Sequence, residues 1–379
     1  MGSVLLISAL GLAIVFGLMG VINLAHGELM MLGAYTTFVV QNAFKGLGDK
    51  WFDFYIVVAI PMAFLVAALA GFVLERAVIR FLYGQPLETL LATWGVSLIL
   101  QQFVRSVSSM LIIAIATFCV LFFVPFYLFA RKTNWDKIKG WFIAIVGILA
   151  AGLATLTGFL INKGGKEALN KPWFSARNVD VTAPSWLKGG LALESLDFQL
   201  PYIRLFIIGL TILCVIGMYW FLNKSSWGLR IRAVTQNRTM SSCLGIPTAK
   251  VDALTFALGS GLAGVAGCAI SFLGSVGPNT GQNYIVDAFM VVVVGGVGNL
   301  FGTIISALAI GVTNYIVIVG SSLVANNLIT SGGSANLIEF FNFFATTSMA
   351  KVLVFAMIIA FLQIRPAGIF PQKGRGVEL

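Results

Sequence analysis

Long apolar runs, separated by short polar segments, fill most of this chain. Several runs reach the roughly 20 residues that an α-helix needs to cross the hydrocarbon core of a bilayer. The pattern predicts an all-α, polytopic transmembrane bundle of about ten spans, some of them broken or re-entrant. The predicted spans are residues 4–22, 27–40, 54–74, 87–104, 111–130, 141–161, 205–222, 254–272, 285–297, 300–319 and 352–363.

Composition supports a membrane location. Of the 379 residues, 59% are hydrophobic and only 10% are charged, whereas soluble domains carry about 25% charged residues. A net charge of +10 would suggest a nucleic-acid partner in a soluble protein. Here the basic groups cluster at span ends, where they fit membrane orientation and anionic lipid headgroups better. We therefore predict contact with membrane lipid and no nucleic-acid partner.

The polar segment 224–250 carries five basic residues and no acid. Short loops rich in Lys and Arg stay in the cytoplasm, so we place this segment there. A single amphipathic helix is expected from about residue 229 to 244, capped by Ser225 or Ser226 and ended by Gly245 and Pro247. Its apolar positions Ile231, Val234 and Leu244 recur at helical spacing. Composition leaves two partners open for this helix, namely anionic lipid and another protein.

Successive spans cross the membrane in opposite directions. Placing the segment 224–250 in the cytoplasm therefore sets the side of every other loop. The segment 162–201 then lies outside, as an ordered periplasmic cap with some strand, since it contains turn residues and alternating stretches such as residues 178–181. Residues 321–349 form a second outside segment. The whole chain, 1–379, reads as a single transmembrane domain.

Small residues inside one span indicate close helix packing. Residues 259–264 match G-x-G-x-x-G, but a dinucleotide site needs a preceding strand, and this motif lies inside a span. In lipid, small residues let helix backbones approach closely. The predicted packing residues are Ser260, Gly261, Gly264 and Gly267.

Two polar interruptions break apolar runs, one in each half of the chain. Residues 23–28 break the first run, and residues 277–283, followed by an acid, break a run in the second half. Paired breaks indicate a transport pathway, although each is also compatible with an ordinary turn. The candidate pathway residues are Asn23, His26, Glu28, Asn283 and Asp287.

The sequence contains no motif for a disulfide framework, a metal site, ATP hydrolysis or catalysis. The four cysteines are widely spaced without C-x-x-C, and there is one histidine, so neither disulfides nor a metal site is predicted. No G-x-x-x-x-G-K-[ST] occurs, so any ATP must be hydrolysed by a partner. A catalytic His26–Glu28 pair would lack a nucleophile or metal, and we predict no enzyme activity and no cofactor in this chain.

Several segments resemble the Liv-type ABC permeases, the membrane subunits of branched-chain amino acid and amide importers. Residues 17–28 and 31–35 resemble the N-terminal signature of that family, and residues 365–370 its C-terminal ending. Three stretches, 251–261, 281–287 and 295–298, look closer to the urea branch than to the amino acid branch. Residues similar to the family's cytoplasmic coupling segment lie within 224–250, and the candidate coupling residues are Arg230, Arg232, Asn237, Arg238, Leu244 and Gly245.

The resemblance implies a multi-pass permease subunit of the bacterial inner membrane. Its expected partners are a second permease, two cytoplasmic ATPase subunits that use ATP and Mg²⁺, and a periplasmic solute-binding protein. Urea or a short amide is the expected substrate, with branched-chain amino acids as the alternative and a passive channel or secondary transporter as a more remote one. Residues 107–161, with two apparent spans, depart from the family pattern as an insertion.

Overall fold

The computed structural model describes residues 2–46, 48–129, 145–153, 155–157, 159, 178–193, 198–330 and 335–370. These residues are mainly helical, with one antiparallel pair of strands, β1 (Gly190–Leu193) and β2 (Phe198–Pro201). Two short 3₁₀ helices cover Ile79–Phe81 and Ser185–Leu187. The α-helices are α1 (Gly2–Met19), α2 (His26–Lys45), α3 (Asp49–Phe52), α4 (Tyr55–Ala77), α5 (Pro86–Ser106), α6 (Ser109–Phe129), α7 (Tyr202–Lys224), α8 (Ser226–Gln236), α9 (Arg238–Cys243), α10 (Thr248–Ser271), α11 (Thr280–Gly295), α12 (Leu300–Thr330), α13 (Ala335–Ala345) and α14 (Thr347–Ile364).

Within these ranges, six helices are long and apolar enough to cross a membrane, or up to seven if the bent pair α13–α14 counts as one span. The expected number of about ten is therefore too high for the described part of the chain. One reason is that α11 has only 16 residues. At about 1.5 Å per residue it is shorter than the roughly 30 Å hydrocarbon core. The predicted span 141–161 also lies partly outside the described residues.

The chain forms two compact units. The first comprises Met1–Leu98 and Asp180–Leu379, and the second comprises Ile99–Val179. The predicted insertion 107–161 lies entirely within the second unit, whose described residues include α6 and a shorter apolar helix at Ile145–Thr157.

Helix α10 lies at the centre of the first unit and packs against α1, α2 and α4. Small residues permit these contacts: a methyl group on Gly33 of α2 would overlap the carbonyl oxygen of Gly264. Gly267 approaches the carbonyl oxygen of Met30 in the same way. On its other side, α10 approaches α4, where Ser260 faces Gly71 and Gly261 faces the ring of Phe64.

The C-terminal part of α2 and the N-terminus of α4 are tied to the segment that precedes β1. The Tyr55 hydroxyl donates to the carbonyl oxygen of Thr182 over 2.7 Å, and the side chain of Gln41 donates to the Thr182 hydroxyl. Asp53 accepts hydrogen bonds from the backbone and hydroxyl of Ser185, which hold the pKa of that carboxyl below its usual range. The strand expected in the segment 162–201 lies at β1 and β2, and the alternating stretch 178–181 is not part of either strand; residues 162–177 and 194–197 lie outside the described residues.

Candidate translocation and coupling sites

The first polar interruption turns back into the bundle. Helix α1 ends at Met19, and Gly20 follows with a φ of +69°, a left-handed conformation that glycine adopts without a steric penalty. Helix α2 then begins at His26, whose Nε2 lies 3.1 Å from the carbonyl oxygen of Ser8. Because Ser8 is near the middle of α1, the start of α2 lies at mid-depth in the bundle. The residues between these helices, 20–25, therefore lead the chain back into the bundle, and for this course alone we call them the re-entrant segment.

The second interruption lies beside the first. A methyl group on Gly281, in the first turn of α11, would overlap the carbonyl oxygen of Gly27, and the reverse also holds. The turn before α11 is fixed by the Thr280 hydroxyl, which accepts a hydrogen bond from the Gly277 amide over 2.8 Å. The N-termini of α2 and α11 therefore meet inside the bundle.

Polar side chains at the start of α2 are buried. Asn23, His26 and Glu28 are each 1% exposed or less. The Asn23 side-chain oxygen accepts from the Ala25 amide over 3.0 Å, and a Glu28 oxygen accepts from the Ser97 hydroxyl over 3.0 Å. Glu28 also lies in the first turn of α2, where the helix dipole favours a negative charge.

Two atoms of this cluster have unused hydrogen-bonding capacity within the described residues: Nδ1 of His26 and the amide nitrogen of Asn23. Since the Ser8 carbonyl can only accept, Nε2 of His26 carries the proton, and Nδ1 of the neutral ring is an acceptor. Buried polar atoms are nearly always bonded to protein or water. One unused donor and one unused acceptor therefore lie at the re-entrant segment.

The two candidate pathway residues of α11 differ in environment from this cluster. Asn283 is exposed. Asp287 is 9% exposed, and its carboxylate accepts a hydrogen bond from Nζ of Lys351 in α14 over 2.8 Å. The five candidates thus fall into three environments, because three are buried near α2, one is exposed and one is ion-paired.

The basic segment 224–250 forms two helices, so the predicted single helix is wrong. Ser225 caps α8, since its hydroxyl accepts from the Trp227 amide over 3.2 Å. Asn237 leaves helical conformation, with φ −152° and ψ 103°, and its side chain accepts from the Met240 amide over 2.9 Å to cap α9. Gly245 follows α9 with a φ of +79°.

One face of this segment packs on the bundle and the other is exposed. Ile231 and Val234 are buried in a cluster with residues of α1 and α7, whereas Leu244 is 76% exposed and does not share their face. The exposed side also carries Leu229 and Met240. The six candidate coupling residues Arg230, Arg232, Asn237, Arg238, Leu244 and Gly245 are all exposed.

Arg238 has partners within the chain that the sequence analysis missed. Its Nη2 lies 2.6 Å from Oδ2 of Asp252 in α10, and its guanidinium lies 4.5 Å from the centroid of the Tyr83 ring. The available signal was Asp252 itself, an acid that follows the basic segment after two residues. In the described ranges, no group of three or more His, Cys, Asp or Glu side chains could hold a metal ion.

Comparison with known proteins places this chain in a family. Residues 1–362 match the family described as "Branched-chain amino acid transport system / permease component". The chain is 25% identical over 371 residues to the high-affinity branched-chain amino acid transport system permease protein LivH of Escherichia coli (strain K12), covering 97% of this chain and 92% of LivH. No solved structure matches the chain.

Two further relatives are permease proteins of such systems. The chain is 24% identical over 313 residues to BraD of Pseudomonas aeruginosa, covering 82% of this chain and 81% of BraD. It is 29% identical over 191 residues to LivM of Escherichia coli (strain K12), covering 48% of this chain and 43% of LivM. The protein is a multi-pass membrane permease of a bacterial ABC transport system. It is not an enzyme and needs no cofactor, because ATP is used by partner subunits. The chain belongs to the family of permease components of branched-chain amino acid transport systems.

Proposed function

We propose that this chain is one of two unlike permease subunits of an importer that moves branched-chain amino acids into the cytoplasm. Two ATPase subunits act from inside, and a periplasmic binding protein delivers the substrate. The names of LivH, BraD and LivM favour this substrate over urea, which the stretches 251–261, 281–287 and 295–298 suggested. Escherichia coli has both LivH and LivM, and both resemble this chain, which supports a paired permease.

The observation that carries the proposal is the exposed face of α8 and α9. Leu229, Met240 and Leu244 are 63%, 59% and 76% exposed, and three arginines of the same segment are exposed as well. An apolar patch with a charged rim is typical of a protein interface. The opposite face packs on the bundle, so the exposed face points away from it, which favours an ATPase partner over lipid.

This face is also connected to the transmembrane helices. The Thr235 hydroxyl in α8 lies 3.2 Å from the carbonyl oxygen of Leu18 at the end of α1, and it shares its proton between this oxygen and the Ile231 carbonyl of its own helix at 2.8 Å. The re-entrant segment begins two residues later, at Gly20. A push on α8 would therefore reach the chain that leads to the buried cluster at Asn23 and His26.

The exposed side of α11 is the proposed wall of the path. Asn283 and its neighbour Gln282 are exposed within one turn of Gly281, which touches Gly27 at mid-depth in the bundle. Amide groups facing hydrocarbon would lack hydrogen-bond partners. A second permease subunit covering this face would leave a polar path, and amide groups can both donate to and accept from an amino acid.

Transport by the reconstituted importer tests the proposal. The permease pair, its ATPases and its binding protein would be placed in proteoliposomes with ATP on the ATPase side. We expect uptake of labelled leucine that requires both ATP and the binding protein. Uptake of urea but not leucine would overturn the substrate assignment, and uptake without ATPase subunits would overturn the importer assignment.

A charge-reversed variant tests the coupling face. Arg232→Glu should reduce ATP-driven uptake at least tenfold while leaving insertion unchanged, because Arg232 is exposed and its side chain bonds only weakly to Asn223, at 3.4 Å. Lys250→Glu is the matched control, since it makes the same charge change in the same segment but lies in the first turn of α10, where a helix favours an acid. Normal uptake by Arg232→Glu would count against this face as the coupling site.

A further inference from the structure

Side chains from four segments meet at the end of the bundle that carries α8 and α9. They are Glu75 of α4, Tyr83 before α5, Arg238 of α9 and Asp252 of α10. We propose that Arg238, Tyr83, Glu75 and Asp252 form the joint that passes movement of α9 to α4 and α10. This inference rests on the proposed function, in which the ATPase subunits act on α8 and α9.

The joint consists of three direct contacts. Arg238 binds Asp252 at 2.6 Å, and its guanidinium stacks on Tyr83, 4.5 Å from the ring centroid. The Tyr83 hydroxyl in turn donates to Oε1 of Glu75 over 3.1 Å. One guanidinium therefore holds α10 directly and α4 through a tyrosine.

The burial of the partners makes this connection stiff. The Asp252 side chain is 6% exposed, whereas the Arg238 side chain is 47% exposed, so the acid is fixed in the bundle and the base reaches from the surface. Removing the base would leave a buried carboxylate unpaired, which is strongly unfavourable. Because arginine keeps its proton in proteins, the pair of Arg238 and Asp252 cannot separate through loss of the charge on Arg238. A displacement of α9 must therefore either carry α10 with it or leave this acid unpaired.

Glu75 is the second buried acid at this corner of the bundle. It is 1% exposed, and its second oxygen, Oε2, lies 4.0 Å from Nε of Arg76 without a hydrogen bond among the described residues. Two buried acids thus face this corner of the bundle, and the tight 2.6 Å bond of the corner comes from Arg238.

The helices that the joint moves hold the broken segments. Gly264 of α10 lies against Gly33 of α2, and the first turn of α2 lies against Gly281 of α11. Packed interiors deform little, so a shift of α10 is passed to its neighbours. The contacts therefore run without a gap from the surface arginine to the two helix N-termini, and each link is a named contact that can be broken separately.

Uptake per ATP hydrolysed, measured in proteoliposomes with the complete importer, tests the joint. We expect Arg238→Ala and Asp252→Asn to lower this ratio at least tenfold while the complex assembles and hydrolyses ATP. The exchanged variant, Arg238→Asp with Asp252→Arg, should recover the ratio to within about threefold of the unaltered importer. Lys250→Ala removes an exposed basic charge from the same segment and should leave the ratio unchanged.

Tyr83→Phe keeps the test decisive if the charge variants fail to assemble. This substitution retains the ring against Arg238 and removes only the hydrogen bond to Glu75. We expect normal assembly and a ratio lowered about three- to tenfold. An unchanged ratio in Tyr83→Phe, or in an assembled Arg238→Ala, would overturn the joint.

Failure of the joint can be told apart from failure of the coupling face. Arg230→Glu and Arg232→Glu change side chains on the exposed face outside the joint. If these variants uncouple transport and the joint variants do not, the joint alone is wrong. If none of them affects the ratio, the proposed coupling face is wrong as well.

Discussion

Gly27 of α2 and Gly281 of α11 touch through their backbones, so that a methyl group on either residue would overlap the carbonyl oxygen of the other. The contact brings together two helix N-termini that lie more than 250 residues apart in sequence. It places the two polar interruptions of the chain at one depth in the bundle. The architecture of the proposed path depends on this close approach.

Gly281→Ala should therefore disturb the protein far beyond the size of one methyl group. Overpacking of this kind costs about 1–3 kcal/mol in packed cores. We expect a lower melting temperature in detergent and a clear loss of uptake. Gly209→Ala in α7 is the control, because a methyl group there would meet nothing within 4 Å. Equal melting temperatures for the two variants would show that α2 and α11 are not in contact.

His26 should be needed for the position of α2. Its ring holds the start of this helix on the Ser8 carbonyl in the middle of α1. His26→Ala removes this bond between α2 and α1, and a typical hydrogen bond inside a protein contributes about 0.5–1.5 kcal/mol. Thermal unfolding checks the loss of stability, and leucine uptake per folded importer checks a role in the path. A variant as stable as the unaltered protein would contradict the bond.

His26→Gln separates support of the helix from contact with substrate. Glutamine carries both a donor and an acceptor, so it can replace the bond to Ser8. If His26 only supports α2, this variant should recover both stability and uptake. Recovered stability with a raised KM for leucine would instead indicate that His26 contacts the substrate.

Asn237 should control the length of the helix that is proposed to face the ATPase. Its side chain caps α9, and its extended backbone separates α9 from α8. Asn237→Ala removes the cap, at a cost of about 0.5–2 kcal/mol, and favours one continuous helix. We expect normal insertion but uptake lowered at least threefold, because Arg238 would leave its position at Asp252. Asn237→Asp retains a capping oxygen and should keep most of the uptake; equal loss in both variants would argue against the cap.

The local features of this chain were predictable and the distant pairings were not. The cap at Ser225 follows from residues that are neighbours in sequence, and so do the two polar breaks. Asn237 was read as part of a helix because the apolar spacing continues across it. Its capping role depends on a backbone conformation that spacing does not reveal.

The predicted number of spans was too high and the two ion pairs were not predicted, and both results have the same physical reason. Whether an apolar run crosses the membrane depends on where its ends meet the rest of the bundle, as the contact of Gly27 with Gly281 shows. Lys351 pairs with Asp287 across 64 positions and Arg238 with Asp252 across 14, so neither pair belongs to one turn of a helix. Such pairs are set by tertiary packing, which a single sequence does not display.

The ion pair between Asp287 and Lys351 leads to the last prediction, which concerns whether Asp287 belongs to the path. Side chains of these residues are 11% and 34% exposed, between a surface pair and a buried one. Asp287→Asn or Lys351→Met alone should destabilise the protein by about 1–3 kcal/mol, since each leaves the other group unpaired.

The double variant Asp287→Asn with Lys351→Met should be more stable than the sum of the two single losses predicts, because it leaves no unpaired charge. If the pair only joins α11 to α14, this variant should also transport leucine at nearly the normal rate per folded importer. We expect that result, because the carboxylate of Asp287 is turned towards Lys351 and is largely buried. Recovered stability without recovered uptake would return Asp287 to the path, and additive losses of stability would mean that the two residues do not interact.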